Sequence, residues 1–283
     1  MNDKREVWLL KERLVPALAP RFEALAPELN LLRRVRFNKQ GRGEGGARRM
    51  FESLYGASFA AVRRSSKIAA FMTSFTTHAA DGDFERENGL WSQWDQYAGP
   101  DGYCIVLDTA AMCDLLAAEF DGGAYWIRLA IAPARYSGPD VPVADLMPEL
   151  MNAGEDVFRQ FMHGRDLQEF AVPEFLEGAT LLKDAGWRKE REVRIVAIPG
   201  TKKLMKRGLR TWPGKFENQT VPAVEKREDG VRFLTFFREP AVRLPVKRII
   251  VGPAAGAEER VAFARKLRPD VPISISQCQP PKA

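Results

Sequence analysis

Apolar runs of strand length recur along this chain, YCIVLD, AYWIRLAIA, EREVRIVAI and KRIIVG among them, without a helix after each one. That order does not fit a regularly alternating βαβα sheet. It predicts an α+β fold, with a mixed or antiparallel split sheet flanked by helices. SKIAAFMTSFTT, VRFLTFFRE, PISISQ and the short ARYS add strands, and LLRRVRFN reads as another. Helices are expected where apolar residues return every three or four positions. From Asp3 to Leu29 these are Val7, Leu10, Leu14, Leu18 and Phe22, with Pro16, Pro20 and Pro27 expected to kink or break the run. Further helices are expected over Ala47–Ala61, over AAMCDLLAAEF with Asp108 or Thr109 as cap, over Val143–Met162, and over EFLEGATLLKDA and AEERVAFARKL. In Val143–Met162 the apolar stripe is Leu146, Leu150, Val157 and Phe161. The expected division is an N-terminal helical segment, 1–30, and one α+β domain, 31–283.

Of the 283 residues 45% are hydrophobic and 28% charged, enough apolar chain for a sizeable core. No apolar run is long enough to span a bilayer, so no membrane partner is expected. MNDKREVWLLKERLVPALAP does not read as a secretory signal. Three scattered cysteines, Cys104, Cys113 and Cys278, argue against a disulfide framework or a zinc knuckle, and point to a reducing cytoplasm. With only His78 and His163 available, a His-rich metal site is not expected, and no metal is assigned.

The net charge of +6 is uneven. Arg33–Arg49 carries +6 and Thr201–Arg248 carries +8, which leaves −8 on the remainder. Two basic zones on an acidic body suit nucleic acid, another polyanion or a phosphate-bearing small molecule. Solvated basic loops would read the same way. KQGRGEGG is rich in glycine but lacks the GxxxxGK[ST] pattern of a phosphate loop.

Three blocks taken in order, LWSQWDQYAGPDGYCIVLD, LLKDAGWRKEREVRIV and VKRIIVGPAAGAEERVAFARKL, resemble the bacterial domain-of-unknown-function family 2971 over about Arg33 to Ser276. Members of that family often open with a Leu-Tyr-His-Tyr-Thr strand similar to the first motif of ADP-ribosyltransferases. The resemblance implies NAD as substrate, a first-strand His or Arg that holds it, a Ser-Thr-Ser-type strand around the nicotinamide, and a Glu that completes the site. It also implies a bacterial toxin or phage-defence setting. Here the opening reads VWLLKERLVP, without histidine, and Arg13 or Arg36 would have to substitute.

Read as one strand, RKEREVRIV puts Glu190, Glu192 and Arg194 on one face and turns Val193 and Ile195 to the core. Two carboxylates ~7 Å apart along a strand suit paired work. One stabilises a developing oxocarbenium ion and the other deprotonates a nucleophile. Arg194 orients a carboxylate or binds a phosphate. An exposed strand with charges alternating for solubility is the plainer alternative. The Glu-x-Glu spacing is that of arginine-modifying ADP-ribosyltransferases, and by the same resemblance Ser74 and Thr76 line the nicotinamide pocket. Ordinary β-strand threonines would give the same pattern.

In LWSQWDQYA, a helix puts Leu90, Trp94 and Tyr97 on one face and sends Trp91 and Gln93 elsewhere. One indole then faces the core, and the other lines a cleft with Ser92, Gln93 and Gln96, where a flat ring could stack. Burial of both indoles under loops is the alternative. Asn38 is expected to cap a turn, with contact to a ligand as the alternative. His78, in a polar loop, reads as an inert histidine with a general base as the alternative, and His163, at a helix end, carries no catalytic role.

The leading expectation is therefore an ADP-ribosyltransferase-like enzyme using NAD, with nucleic acid as a candidate acceptor. The first rival is a non-catalytic nucleic-acid-binding module that uses the basic zones and the aromatic cluster. The second is a metal-dependent nuclease using Glu190, Glu192 and Asp83 or Asp108. The amphipathic helices also leave room for a protein partner.

Overall fold

The computed structural model describes residues 4–40, 43–49, 70–78, 82–162, 177–178, 180–202, 205–206, 210, 214, 217–239 and 241–279. Its principal elements run α1 (Lys4–Leu25), α2 (Leu31–Gln40), β1 (Phe71–Thr76), α3 (Asp83–Asn88), β2 (Tyr103–Leu107), α4 (Thr109–Asp121), β3 (Trp126–Pro133), β4 (Arg135–Ser137), α5 (Val143–Leu146), α6 (Pro148–Met162), β5 (Leu182–Asp184), β6 (Glu192–Pro199), β7 (Glu225–Lys226), β8 (Arg232–Phe233), β9 (Val246–Val251), α7 (Ala257–Leu267) and β10 (Ile273–Ile275). The fold is α+β, with two three-stranded sheets and two two-stranded ones among the described residues. The chain divides into two compact units, 1–75 with 123–234 and 76–122 with 235–283. The N-terminal helix is not a segment apart from the rest, as a boundary at residue 30 would make it: α1 supplies much of the first unit's core.

In the first unit, β6 lies between β1 and β3. It pairs antiparallel with β3, Ile131 opposite Ile195 and Ala132 opposite Arg194. Leu14, Leu18 and Phe22 of α1 are buried with Leu150, Met151 and Phe158 of α6, and with Val196 and Ile198 of β6. Phe22 stacks on Phe158 with ring centres 4.6 Å apart, and Phe37 of α2 meets Phe158 edge-on.

Several expectations are corrected here. Pro16 and Pro20 lie inside an unbroken α1. Each forfeits a backbone hydrogen bond, but the buried side chains of Leu14, Val15, Leu18, Ala19 and Phe22 hold the helix against α6. LLRRVRFN is helical, not a strand, and Asn38 sits on α2 instead of at a turn. Its Leu, Arg, Lys and Gln residues favour helix, and Phe37 anchors it. The expected Val143–Met162 helix breaks at Met147, ahead of Pro148. Leu150 lies in the buried stripe, joined by Val143, Met147, Met151 and Phe158; the side chains of Val157 and Phe161 lie outside the described residues. Among the described residues, VRFLTFFRE pairs only through β8, with β7. Most of the expected 47–61 helix, part of EFLEGATLLKDA, and His163 lie outside the described residues.

In the second unit, β9 is central, parallel to β10 and antiparallel to β2. Val261 and Ala264 of α7 are buried, Ala264 together with Ile249 of β9. Asp108 caps α4 by accepting a hydrogen bond from the Ala111 amide, as its sequence position suggested. The Gly99–Gly102 turn lies against the end of β9. The Gly252 amide donates to the Gly102 carbonyl, and a Cβ at Gly252 would fall 2.3 Å from the Pro100 oxygen.

Candidate functional site

β6 has both faces covered from Arg194 to Pro199, as a central strand should. The face that carries Glu192 and Arg194 continues to Val196 and Ile198, which pack into the helical core. It is thus a core face, and the expectation that only Val193 and Ile195 point inward is corrected. Arg194 is 1% exposed. A buried guanidinium requires partners for its charge and its N–H groups. Its Nε and Nη2 donate to Glu192 Oε2 at 3.1 and 2.8 Å, and its Nη1 donates to the Thr180 carbonyl. Of the two roles expected for Arg194, the structure supplies carboxylate orientation; burial takes its guanidinium away from a phosphate or a cofactor.

Glu190 is not on the strand. It ends a 3₁₀ turn, Ala185–Glu190, which begins with Asp184 Oδ1 accepting from the Gly186 amide. Between the two glutamates Arg191 takes a left-handed conformation, φ 44°. Such a backbone costs a non-glycine residue about 1–2 kcal/mol, and residues of this kind cluster at sites whose surroundings enforce them. Its result here is that both carboxylates meet one ammonium. Lys183 Nζ donates to Glu190 Oε2 and, at 2.9 Å, to Glu192 Oε2. Lys183 reaches them from β5, whose parallel pairing with β4 puts Lys183 opposite Tyr136. The Tyr136 hydroxyl accepts from the Glu192 amide at 2.7 Å, and the Glu192 carbonyl accepts from the Ala134 amide. Both backbone groups of Glu192 are thereby held by the 134–136 segment.

Ser74, on the neighbouring β1, also hydrogen-bonds the Glu192 carboxylate. Burial alone would raise the pKa of Glu192. The hydrogen bonds from Ser74, Lys183 and Arg194, with the charge of Arg194, outweigh it and hold this carboxyl below its ordinary range. For Lys183, burial works against the charged form, but its bonds to Glu190 and Glu192 prevail and raise its pKa. Four charged groups, two of each sign, thus share one partly buried cluster. Trp187, 49% exposed, has its ring centre 5.8 Å from Lys183 Nζ.

Of the residues singled out from the sequence, Ser74, Glu190, Glu192 and Arg194 come together. Arg36 lies on α2 of the first unit. Thr76, Trp91, Ser92, Gln93, Trp94 and Tyr97 belong to the second. There Trp94 is buried, and its Nε1 donates to the Asn88 carbonyl. Trp91 packs against the cluster formed by Trp94, Ile250 and Cys278. The same Asn88 carbonyl accepts from Ser276 Oγ, and Asn88 Oδ1 accepts from the Gln277 amide. Both indoles therefore have structural surroundings. Tyr97 was expected on Trp94's face, but it is 67% exposed. The cause is the wider π turn over Trp94–Ala98, which rotates Tyr97 away from the stripe of an α-helix.

Lys183, Tyr136 and Thr180 were missed. LLKDA reads as helix, so no local signal aimed Lys183 at the glutamates; WRKERE did place an indole next to them. Among the described residues no group of three His, Cys, Asp or Glu could hold a metal ion. Asp108 is committed to its cap, and Asp83 pairs with Arg86. No helix among them is long and apolar enough to cross a membrane. No family model, curated protein or solved structure matches this chain.

Proposed function

We propose that the first unit carries a glycosyl-transfer centre that cleaves NAD and passes ADP-ribose to an acceptor, with Glu192 as the essential carboxylate. The observation that supports this reading is the hydrogen bond from Ser74 on β1 to Glu192 at the head of β6. It joins a hydroxyl-bearing strand to an ionised carboxylate, with a second carboxylate, Glu190, held to the same ammonium. As the bond between ribose C1′ and the nicotinamide nitrogen breaks, its electron pair leaves with the ring and positive charge develops at C1′. An ionised, pre-oriented Glu192 stabilises that charge. The acceptor attacks C1′ and gives up its proton to Glu190.

The test is nicotinamide release from NAD, with RNA, DNA or lysate as acceptor. Glu192→Gln should lower the rate by about 10²–10³, the scale of losing one preorganised electrostatic contact. Equal release by the wild type and Glu192→Gln, or none by either, would remove the proposal.

A second reading, non-catalytic binding of nucleic acid, is favoured by α2. That helix presents exposed Arg34 beside Leu31 and Leu32, within the basic 33–49 zone. It requires binding that weakens steeply with salt and survives Glu192→Gln. Absence of binding at low salt eliminates it.

A further inference from the structure

Among the described residues β2 ends its sheet, whose order is β10, β9, β2. The backbone of β9 fixes where the polar groups of β2 point. The Ile249 amide donates to the Pro272 carbonyl, and the Val251 carbonyl accepts from the Ser276 amide, so both residues turn toward the β10 side. The Gly252 amide donates to the Gly102 carbonyl, on the β2 side. Tyr103 lies opposite Val251 and Ile105 opposite Ile249. In such an alternation the amides and carbonyls of Tyr103 and Ile105 point away from β9, along the outer edge of the sheet. YCIVL carries no charge and no proline, two of the devices that keep an edge from pairing.

An incompletely covered face adjoins this edge. Ile105 shares a sheet face with Ile249, which is buried with Ala264 of α7. Ile105 itself is 58% exposed. The Tyr103 hydroxyl donates to the Arg260 carbonyl at 3.5 Å, so β2 runs beside the flank of α7 that bears Arg260. Phe263 and Leu267 follow on that flank at three- and four-residue steps, 55% and 62% exposed. Tyr103, Ile105, Phe263 and Leu267 thus form one apolar strip along an open strand edge.

We propose that this edge and strip form a self-association surface, on which β2 pairs antiparallel with β2 of a second copy about a two-fold axis at Ile105. The surface lies in the second unit and does not depend on the reading of Glu192. An axis perpendicular to the sheet keeps α7 and its copy on one sheet face and reverses one against the other. The acidic first turn of one helix, Glu258 and Glu259, then stands at the same end of the interface as the basic last turn of the other, Arg265 and Lys266. The charge pattern of α7 is therefore self-complementary. The dimensions fit as well. α7 packs on β9 and β10, so the two helices stand three to four strand spacings apart, about 14–19 Å. Helices about 10–12 Å across leave a channel under ~10 Å wide, and the apolar strips of both copies line it. Side chains that each expose roughly 100 Å², taken over two copies with the paired edges, come to on the order of 1,000 Å². That is the lower limit for a specific interface, so the association is weak and concentration-dependent.

Sedimentation velocity on the full chain over roughly 1–300 µM should show one chain passing into two. Residue 105 meets its own copy on the axis. Ile105→Lys and Ile105→Glu therefore each set like charges face to face, and each should weaken association about tenfold or more. An equal mixture of the two variants should recover it as a mixed pair. Ile105 is exposed, so both variants should keep the native fold, which near-ultraviolet circular dichroism checks. A chain that stays single at the highest concentration overturns the proposal; that is also the outcome expected if the edge takes a strand from a different protein. An association that both variants leave unchanged, or a mixture no tighter than either variant alone, overturns it too. The wild type gives an independent reading by hydrogen exchange. The outward amides of Tyr103 and Ile105 should gain protection severalfold as concentration rises, and protection that stays constant overturns strand pairing at this edge.

Discussion

Replacing Arg194 with methionine tests the cluster most directly. The side chain is 1% exposed, and three of its hydrogen bonds end on Glu192 and the Thr180 carbonyl. Methionine fills much of the same volume, so the loss is chiefly electrostatic. Removing one partner of a buried ion pair costs about 3–5 kcal/mol, because the other charge stays behind without compensation. Here Lys183 and Ser74 still serve Glu192, which favours the lower end of that range. At about 2–4 °C per kcal/mol for a unit of this size, the first unit should melt roughly 6–12 °C earlier, counted from ~3 kcal/mol. Differential scanning calorimetry at neutral pH reads the shift, and near-ultraviolet circular dichroism confirms native packing beforehand. Arg194→Lys should recover only part of the loss, since an ammonium cannot supply the forked geometry. Melting of Arg194→Met within 2 °C of wild type would refute the argument that burial makes this residue a structural necessity.

Three further outcomes are expected. The folded Glu192 carboxyl titrates below its unfolded value, so its stabilisation is complete above about pH 4.5 and is lost as pH falls through the folded pKa; urea melts of wild type should show this acid loss, and Glu192→Gln should show less of it. Phe22→Ala, at a fully buried ring stacked on Phe158, should cost about 3–5 kcal/mol by chemical denaturation. Gly252→Ala puts a methyl against the Pro100 oxygen and should cost about 1–3 kcal/mol, with lost hydrogen-exchange protection at Gly252 and Ala254, whose amides donate to the adjoining turn.

What the sequence made legible was local. Asp108 announces α4 because a cap needs only its own side chain and an amide three residues on. YCIVLD, KRIIVG and AEERVAFARKL form as expected because their periodicity and their packing agree. Where several elements contribute, the pattern misleads. Arg194 reads as a side chain able to orient a carboxylate or bind a phosphate, and only the flanking β1 and β3 with the helical core make it a buried one. Lys183 reads as part of a helix until β4 draws its segment into a strand. The Glu190–Glu192 pair was visible, but the turn and left-handed Arg191 that join it to one ammonium were not. The indoles of 91–94 drew attention through their density, although Asn88, Ser276 and Cys278 account for their surroundings.

The two units are interleaved along the chain. The first closes only when residues before 75 meet those after 123, and the second only when β2 meets β9. No single cut in the coding sequence can therefore release either one whole. A polypeptide stopped near residue 234 would contain β2 with Ile105 and Val106 but lack Ile249 and Arg248 opposite them. Its bare edge would invite intermolecular strand pairing. On the ribosome the same constraint delays the second unit until β9 has emerged, and the 123–234 portion of the first unit is synthesised during that wait.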